Sequence, residues 1–210
     1  MPLLLELFSG TKSIGKAFEA LGWEVFSVDS NPKTEPSLAI DVQNLTPEMI
    51  PGRPDFVWAS PPCTHYSIAR TYAKLPQDLE GSDALVRKTL DLIRSFHGVF
   101  FMIENPHSGL LKTRDVIQSI PMLVLDYCKY GAEYRKRTSI WTNTQWLPSQ
   151  PLCKHDCPAS DGKCHPQRAQ QVPHNPVARR RTVNQLYMVP PKLCDEIARY
   201  INNTLIVVLD

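Results

Sequence analysis

Short apolar runs alternate with amphipathic stretches along the first half of the chain, and this alternation is the feature that most restricts its fold. Apolar runs at 3–7, 23–28, 37–40, 55–59 and 99–103 predict strands, whereas 13–22 and 82–96 carry apolar residues at helical spacing. Runs at 122–128 and 138–142 predict two more strands, and a helix is predicted from Pro190. Strands that alternate with helices predict an α/β fold with a doubly wound, mostly parallel sheet.

Polar residues stand where the predicted strands end. They are Ser9 with Gly10, Asp29, Asp41, residues 60–63, and Glu104 with Asn105. Because open parallel sheets bind ligands beyond the carboxyl ends of their strands, we expect a binding cleft at this edge. The first turn contains Gly10 and Gly15 but lacks the complete dinucleotide fingerprint, so by itself it is weak evidence.

Two acids after successive predicted strands suggest a nucleoside site. A carboxylate at Asp29 would accept hydrogen bonds from both hydroxyls of a ribose, and Asp41 would address an adenine amine. The alternative for each is a helix cap or a turn residue, for which aspartate is common.

A lone thiol, Cys63, follows the predicted strand 55–59 in the stretch ASPPCTHYS. A cysteine on such a loop is placed for a lowered pKa and nucleophilic attack, and the alternative is a buried structural cysteine. Glu104 ends the next predicted strand, which normally lies beside it. Attack of a thiol on C6 of cytosine places negative charge on the ring, so it is feasible only if a group such as a glutamic acid neutralises that charge at N3. The attack makes C5 nucleophilic, and C5 can then accept a methyl group from a sulfonium.

These motifs resemble the cytosine-C5 DNA methyltransferases. The resemblance covers roughly 3–143 and 182–201, in the family's order. The matching residues are Phe8-Ser9-Gly10, Pro62-Cys63, Glu104-Asn105, Arg135 and Arg137 within EYRKR, and Asn184 with the Val-Pro-Pro that follows it.

The resemblance implies a Rossmann-like methyltransferase fold and S-adenosylmethionine as cofactor. It implies that Asp29 binds the ribose and Asp41 the adenine, with Phe8, Ser9, Gly10, Pro62 and Asn184 also at the cofactor site. Cys63 would be the nucleophile, Glu104 would bind N3, and Arg135 and Arg137 would support a cytosine flipped out of duplex DNA.

Residues 143–181, here called the insert, stand where this family has a much larger target-recognition region. Cys153, Cys157 and Cys164 with one histidine would suit a tetrahedral zinc, His165 being favoured over His155 and His174 as fourth ligand. The alternative is unpaired loop cysteines. We expect one methyltransferase domain, 1–210, with a small zinc-bearing insert.

Charge is unevenly distributed. Residues 129–181 hold ten basic and three acidic residues, a net +7, so the remainder carries −5 for a total of +2. This favours docking of an anionic polymer such as DNA, and a solvated basic loop is the alternative. The sequence has no apolar run of membrane-spanning length and no secretory signal, which predicts a cytoplasmic protein with reduced thiols and no membrane partner.

Three functions are therefore open. The first is methylation of cytosine C5 in DNA. The second is the same chemistry on a free cytosine nucleotide or on RNA, because so short an insert reads little sequence. The third is a non-catalytic module that retains the fold and binds nucleic acid or cofactor, which the joint presence of Cys63 and Glu104 disfavours.

Overall fold

The structure, a computed structural model, describes residues 1–68, 76–167, 169 and 181–209. This part of the chain forms a seven-stranded sheet of order β3-β2-β1-β4-β5-β7-β6. The strands are β1 Leu3–Leu7, β2 Glu24–Asp29, β3 Leu38–Ala39, β4 Phe56–Ala59, β5 Phe100–Pro106, β6 Met122–Asp126 and β7 Arg137–Thr142. Strands β1 to β5 pair in parallel, and β7 is antiparallel to both β5 and β6. The predicted doubly wound, mostly parallel sheet is confirmed.

Helices cover both faces of the sheet. They are α1 Ser13–Glu19, α2 Leu79–Ser95, α3 Val183–Tyr187 and α4 Pro191–Leu209. Helices α1 and α4 pack on one face and α2 on the other. Helix α3 was not predicted, because five residues are too few for a periodic pattern; its start is stabilised by a reciprocal capping box between Thr182 and Gln185. Within the described residues, no helix is long and apolar enough to cross a membrane.

Strand β1 shows why the sheet lies in the centre of the molecule. All five of its residues are buried. Leu4 packs in the cluster beneath α1 and α4, whereas Leu3, Leu5 and Leu7 pack in the cluster beneath α2. An apolar run without alternation is typical of a parallel strand covered on both faces.

Two strand ends differ from the predicted ones by more than one residue. Strand β5 continues to Pro106, so that Glu104 and Asn105 lie within it, opposite Ile140 and Ser139 of β7. Pairing with an antiparallel neighbour extends the strand past its apolar run. Strand β6 ends at Asp126, and Tyr127–Tyr130 forms a 3₁₀ turn. This turn removes Cys128 from the sheet.

Candidate active site and cysteine cluster

A cavity of about 330 Å³ lies at the carboxyl ends of the central strands. Its walls come from the loops after β1 and β4, the end of β2, strand β5 and helix α3. The predicted site residues that line it are Phe8, Ser9, Gly10, Asp29, Pro62, Cys63, Glu104 and Asn184. The structure therefore brings the predicted nucleophile, its glutamate and most of the predicted cofactor residues together.

The loop after β1 is held against Asp29. Phe8 and Gly10 both have positive φ, 57° and 43°, so the chain turns sharply after the strand. This turn aims the Gly10 N–H at Asp29 Oδ2, at 2.9 Å, while Asn31 N–H donates to Oδ1 at 2.8 Å. Each carboxylate oxygen can accept more than one hydrogen bond, so Asp29 retains the capacity to bind a ligand hydroxyl.

Glu6 of β1 also lines the cavity, and sequence reasoning missed it. It is 2% exposed, and its Oε2 has no hydrogen-bond partner among the described residues. Burial raises the pKa of this carboxyl to about 7, although backbone amides of Gly15 and Ile14 partly offset the rise. The signal was present in the sequence as one acid inside an otherwise apolar strand. A buried acid with one unpartnered oxygen beside a cavity is a sign of a ligand site.

Asp41 occupies a different position from the one predicted. It is not among the described residues that line the cavity. Its side chain is exposed and accepts a hydrogen bond from Gln43 N–H at 2.9 Å, which caps the 3₁₀ turn Val42–Asn44. This is the helix-cap alternative considered for this residue.

A residue of β5 holds the loop that carries Cys63. The Asn105 side-chain amide donates to the Pro61 carbonyl at 2.9 Å in a buried contact. Trp58 Nε1 donates to Ser60 Oγ at 2.9 Å, and Tyr66 N–H donates to the Cys63 carbonyl at 3.1 Å. The Asn of the Glu-Asn pair thus positions the Pro-Cys loop.

The thiol of Cys63 is partly buried, and its environment reverses the predicted direction of the pKa shift. Burial raises the pKa of the thiol above its ordinary value. The positive charge of Lys136 opposes this effect, and the negative charge of Glu104 reinforces it. The prediction of a lowered pKa neglected the cost of removing a thiolate from water.

Glu104 is buried and receives two donors on one oxygen. Tyr127 Oη donates to Glu104 Oε1 at 2.9 Å, and Lys136 Nζ lies 3.3 Å from the same atom. Lys136 also sits over the Tyr127 ring, 4.8 Å from its centre, and lines the cavity. Neither Lys136 nor Tyr127 was predicted, because nothing in the local sequence separates Lys136 from its basic neighbours.

Arg135 and Arg137 lie outside the cavity-lining set and bind Asp126 instead. Arg137 donates to both carboxylate oxygens of Asp126, at 3.1 and 2.8 Å, and Arg135 Nε donates to Oδ1 at 3.2 Å. Burial alone would raise the pKa of Asp126, but these contacts and the Cys153 N–H hold it below its ordinary value. Side chains of an extended segment alternate between faces, so Lys136 points opposite to its two neighbours.

Helix α3 brings Asn184 to the cavity and is tied to the core. Tyr134 Oη donates to the Gln185 carbonyl at 3.0 Å, and Arg181 pairs with Glu133 at 3.2 Å. Arg181 therefore forms an ion pair with an exposed carboxylate of the same chain. Arg179, Arg180 and His174, considered for DNA or metal binding, lie outside the described residues.

Four soft ligand atoms meet where the insert reaches β6. Cys128, Cys153, Cys157 and His165, here called the Cys₃His cluster, place their ligand atoms within 4.8 Å of one another. Cys164, predicted as a ligand, is not a member; its Sγ lies 3.3 Å from Asp161 Oδ2. The cluster thus contains Cys128 where Cys164 was expected. Cys128 lies outside the insert, so the spacing of cysteines within the insert did not indicate it.

Comparison with known proteins identifies the family. A curated protein of Frog virus 3 (isolate Goorha), named "Probable DNA (cytosine-5)-methyltransferase", is 32% identical over an alignment of 213 residues that covers 92% of this chain and 97% of that protein. The chain belongs to the DNA (cytosine-5)-methyltransferase family. No protein-family model matches it.

Solved structures share the fold of this family member. Spodoptera frugiperda DNMT2, solved as a mutant, has a TM-score of 0.51 and 18% identity, covering 72% of this chain and 53% of that one. The Entamoeba histolytica methyltransferase EhMeth has a TM-score of 0.53 and 15% identity, covering 73% and 58%. The chain thus spans a little over half the length of these two structures.

Proposed function

We propose that the protein transfers a methyl group from S-adenosylmethionine to C5 of cytosine in DNA, through a covalent bond between Cys63 and C6. The observation that carries the proposal is one cavity that is lined by Cys63, Glu104 and Asp29 together. Family membership supports the reaction class, and the cavity supports these residue roles.

The covalent step follows from the chemistry of Cys63 and Glu104, which line the same cavity. Cys63 loses its proton to solvent and bonds to C6, while Glu104 hydrogen-bonds or protonates N3 and so neutralises charge on the ring. The cofactor supplies the methyl group to C5. Solvent then accepts the C5 proton, the C5–C6 double bond re-forms and expels the Cys63 thiolate, the thiolate regains its proton from solvent, and Glu104 recovers any proton that it gave to N3.

Lys136, in this proposal, takes the place that the resemblance gave to Arg135 and Arg137. Its ammonium group and Tyr127 Oη both contact Glu104 Oε1, which leaves Oε2 to address the base. Its positive charge also lowers the pKa of Cys63 and so favours the thiolate that burial opposes. The two arginines instead stabilise the β6–β7 hairpin through Asp126.

The cavity fits a cationic nucleoside cofactor. Asp29 has acceptor capacity for ribose hydroxyls, and Ser9 Oγ and Glu6 Oε2 are buried without hydrogen-bond partners among the described residues. S-adenosylmethionine carries a sulfonium and an ammonium group, so an acid such as Glu6 would become ionised beside it. Phe8, Gly10, Pro62 and Asn184 would complete the site.

DNA is the proposed substrate, with the cytosine flipped into the cavity, because chemistry at C5 and C6 needs access to the ring faces. We take 1–210 as one methyltransferase domain and the insert as a reduced recognition element. Zinc is included as a structural ion of the insert.

Labelled S-adenosylmethionine, incubated in turn with duplex DNA, RNA and dCMP, tests the substrate. Label in 5-methylcytosine of duplex DNA is expected. Label only in RNA or dCMP would move the same chemistry to the alternative substrates, and cofactor binding without transfer to any of them would favour a non-catalytic module.

A DNA duplex that contains 5-fluorocytosine tests the mechanism, since fluorine at C5 blocks release of the adduct. A denaturant-resistant complex is expected with wild-type protein and with Cys194→Ser, a cysteine of α4 that does not line the cavity. Cys63→Ser should form none. Normal methyl transfer by Cys63→Ser would contradict the covalent step.

A further inference from the structure

The Cys₃His cluster joins two parts of the chain that are distant in sequence. Cys128 belongs to the 3₁₀ turn after β6, whereas the other three members belong to the insert. The three cysteines are buried and the histidine is partly buried. The cluster therefore lies at the junction between the sheet and the insert.

The geometry of the cluster suits a tetrahedral ion. The His165 Nε2 atom lies 3.3 Å from Cys157 Sγ and 3.6 Å from Cys153 Sγ. Zinc bound tetrahedrally by sulfur and nitrogen would separate such atoms by about 3.6 Å, given its usual bond lengths. Thiolate and imidazole ligands suit zinc, whereas magnesium and calcium prefer oxygen ligands.

Apolar packing at this junction consists almost wholly of the ligands themselves. Among the described residues, its hydrophobic cluster contains Cys128, Cys153 and Cys157, with Ala159 packed against them. Such a patch is too small to order a polar loop by burial, so another interaction has to do so.

Local turns present the ligands. His155 adopts a left-handed φ of 67° between Cys153 and Cys157, which brings the chain back so that both thiols face Cys128. Asp161 then accepts hydrogen bonds from the backbone N–H groups of Lys163 and Cys164, forming a turn directly before His165. These turns hold the ligand residues close to one another.

Contacts around the cluster lead to the cavity. Cys128 directly follows Tyr127, whose hydroxyl donates to Glu104. The Cys153 N–H donates to Asp126 Oδ2 at 3.0 Å, and Asp126 holds Arg135 and Arg137 on either side of Lys136. Tyr127 and Lys136, the two donors to Glu104, are therefore each next in sequence to a residue that is held at the cluster. Tyr127 precedes Cys128, and Lys136 lies between the two arginines that Asp126 binds.

We infer that the Cys₃His cluster binds one zinc ion, which fastens the insert to the end of β6 and thereby positions Tyr127 and Lys136 against Glu104. Zinc binding stands on the cluster alone. The positioning role rests on the proposed methyltransferase function and is tested separately.

Metal content of the purified full chain, prepared without chelators, tests the ligand set. One equivalent of zinc is expected in wild-type protein and in Cys164→Ser, and less than a tenth in Cys128→Ser. Cobalt substituted for zinc should give a thiolate-to-cobalt charge-transfer band in wild-type protein and in Cys164→Ser. Zinc retained by Cys128→Ser, or lost from Cys164→Ser, would overturn this ligand set, as would wild-type protein without zinc.

Comparison of two ligand variants tests the positioning role. Cys157→Ser, in the insert, and Cys128→Ser, beside Tyr127, should lose zinc and lower kcat by a similar factor, roughly tenfold or more. Affinity for S-adenosylmethionine should stay within about twofold, which also reports that the core is folded. A loss of kcat in Cys128→Ser alone would assign the effect to the local substitution and overturn the positioning role.

Removal of zinc from the wild-type protein with a chelator provides a control that does not require any variant to fold. Removal of zinc should lower kcat, and added zinc should restore it. Unchanged kcat after complete removal would overturn the positioning role but leave zinc binding intact. Absence of methyl transfer under every condition would contradict the proposed function, whereas the metal content would still decide the ligand set.

Discussion

The cavity and the insert are ordered by different forces, although both carry chemically reactive side chains. Cavity residues sit on strands, or next to strands, that are buried on both faces, and buried contacts such as Asn105 to Pro61 hold the loops between them. In the described insert after Trp146, Cys153 and Cys157 are the buried apolar side chains. The sheet orders the first region without a ligand, whereas our inference is that the second is ordered by an ion.

This difference predicts that most substitutions in one region leave the structure of the other unchanged. The exception is the chain of contacts that joins the Cys₃His cluster to Glu104. Substitutions in the cavity should leave the zinc in place. Loss of zinc should open the insert while the cofactor pocket remains.

Replacement of the nucleophile should have the largest effect. Cys63→Ser is expected to lower methyl transfer by roughly 10⁴-fold or more, because a hydroxyl does not replace a thiolate as attacking group. Zinc content and S-adenosylmethionine affinity, measured on the same preparation, should match wild type. Loss of zinc in this variant would show that the regions are not separate.

Protease sensitivity measures the insert side of the comparison. Trypsin should cleave after the exposed Lys154 and Lys163 roughly 10²-fold faster once zinc is chelated, because an insert without its ion opens locally. Arg87, exposed on α2, is the control and should be cleaved at an unchanged rate. Equal cleavage at Lys154 with and without zinc would mean that the protein alone orders the insert.

Glu6 provides a pH test confined to the cavity. Its pKa is about 7 in the folded protein against an ordinary 4.5, so the unfolded state loses this proton first as pH rises. The free energy of unfolding should therefore fall by about 3 kcal/mol between pH 4.5 and 7 on account of this group.

Urea titrations of wild type and Glu6→Gln across this range isolate the contribution, since other titrating groups cancel in the difference. The glutamine variant should lack this part of the decline. An identical pH dependence in both proteins would contradict the raised pKa of Glu6.

Paired aspartate variants give the smallest and finest test. Asp29→Ala should weaken S-adenosylmethionine binding by roughly 1.5 to 3 kcal/mol, because ligand hydroxyls lose their acceptor. Asp41→Ala also removes an acceptor of a backbone N–H, but outside the cavity lining, and should change affinity by less than about 1 kcal/mol. Calorimetry with equal losses in both variants would place the adenosine elsewhere.

Much of the cavity was predictable because its geometry follows from topology. Parallel strands deliver their carboxyl ends to one edge, so residues after β1, β2 and β4 meet there however far apart they lie in the chain. Cys63, Glu104 and Asp29 were found on this basis. Asp41 follows the short strand β3 at the border of the sheet, and there the same rule does not bring a side chain into the cavity.

The sequence by itself determined the mostly parallel sheet, the thiol and its glutamate, and the presence of metal-type ligands in the insert. Only the tertiary structure shows that Lys136, and neither of its arginine neighbours, lines the cavity, because the direction in which a side chain of an extended segment points depends on the partner strand. It likewise shows that Cys128, and not Cys164, belongs to the Cys₃His cluster. The ligand atoms of a metal site come together in space, whereas sequence spacing reports only neighbours along the chain. The turn after β6 packs against the insert through tertiary contacts, which the spacing of the cysteines does not reveal.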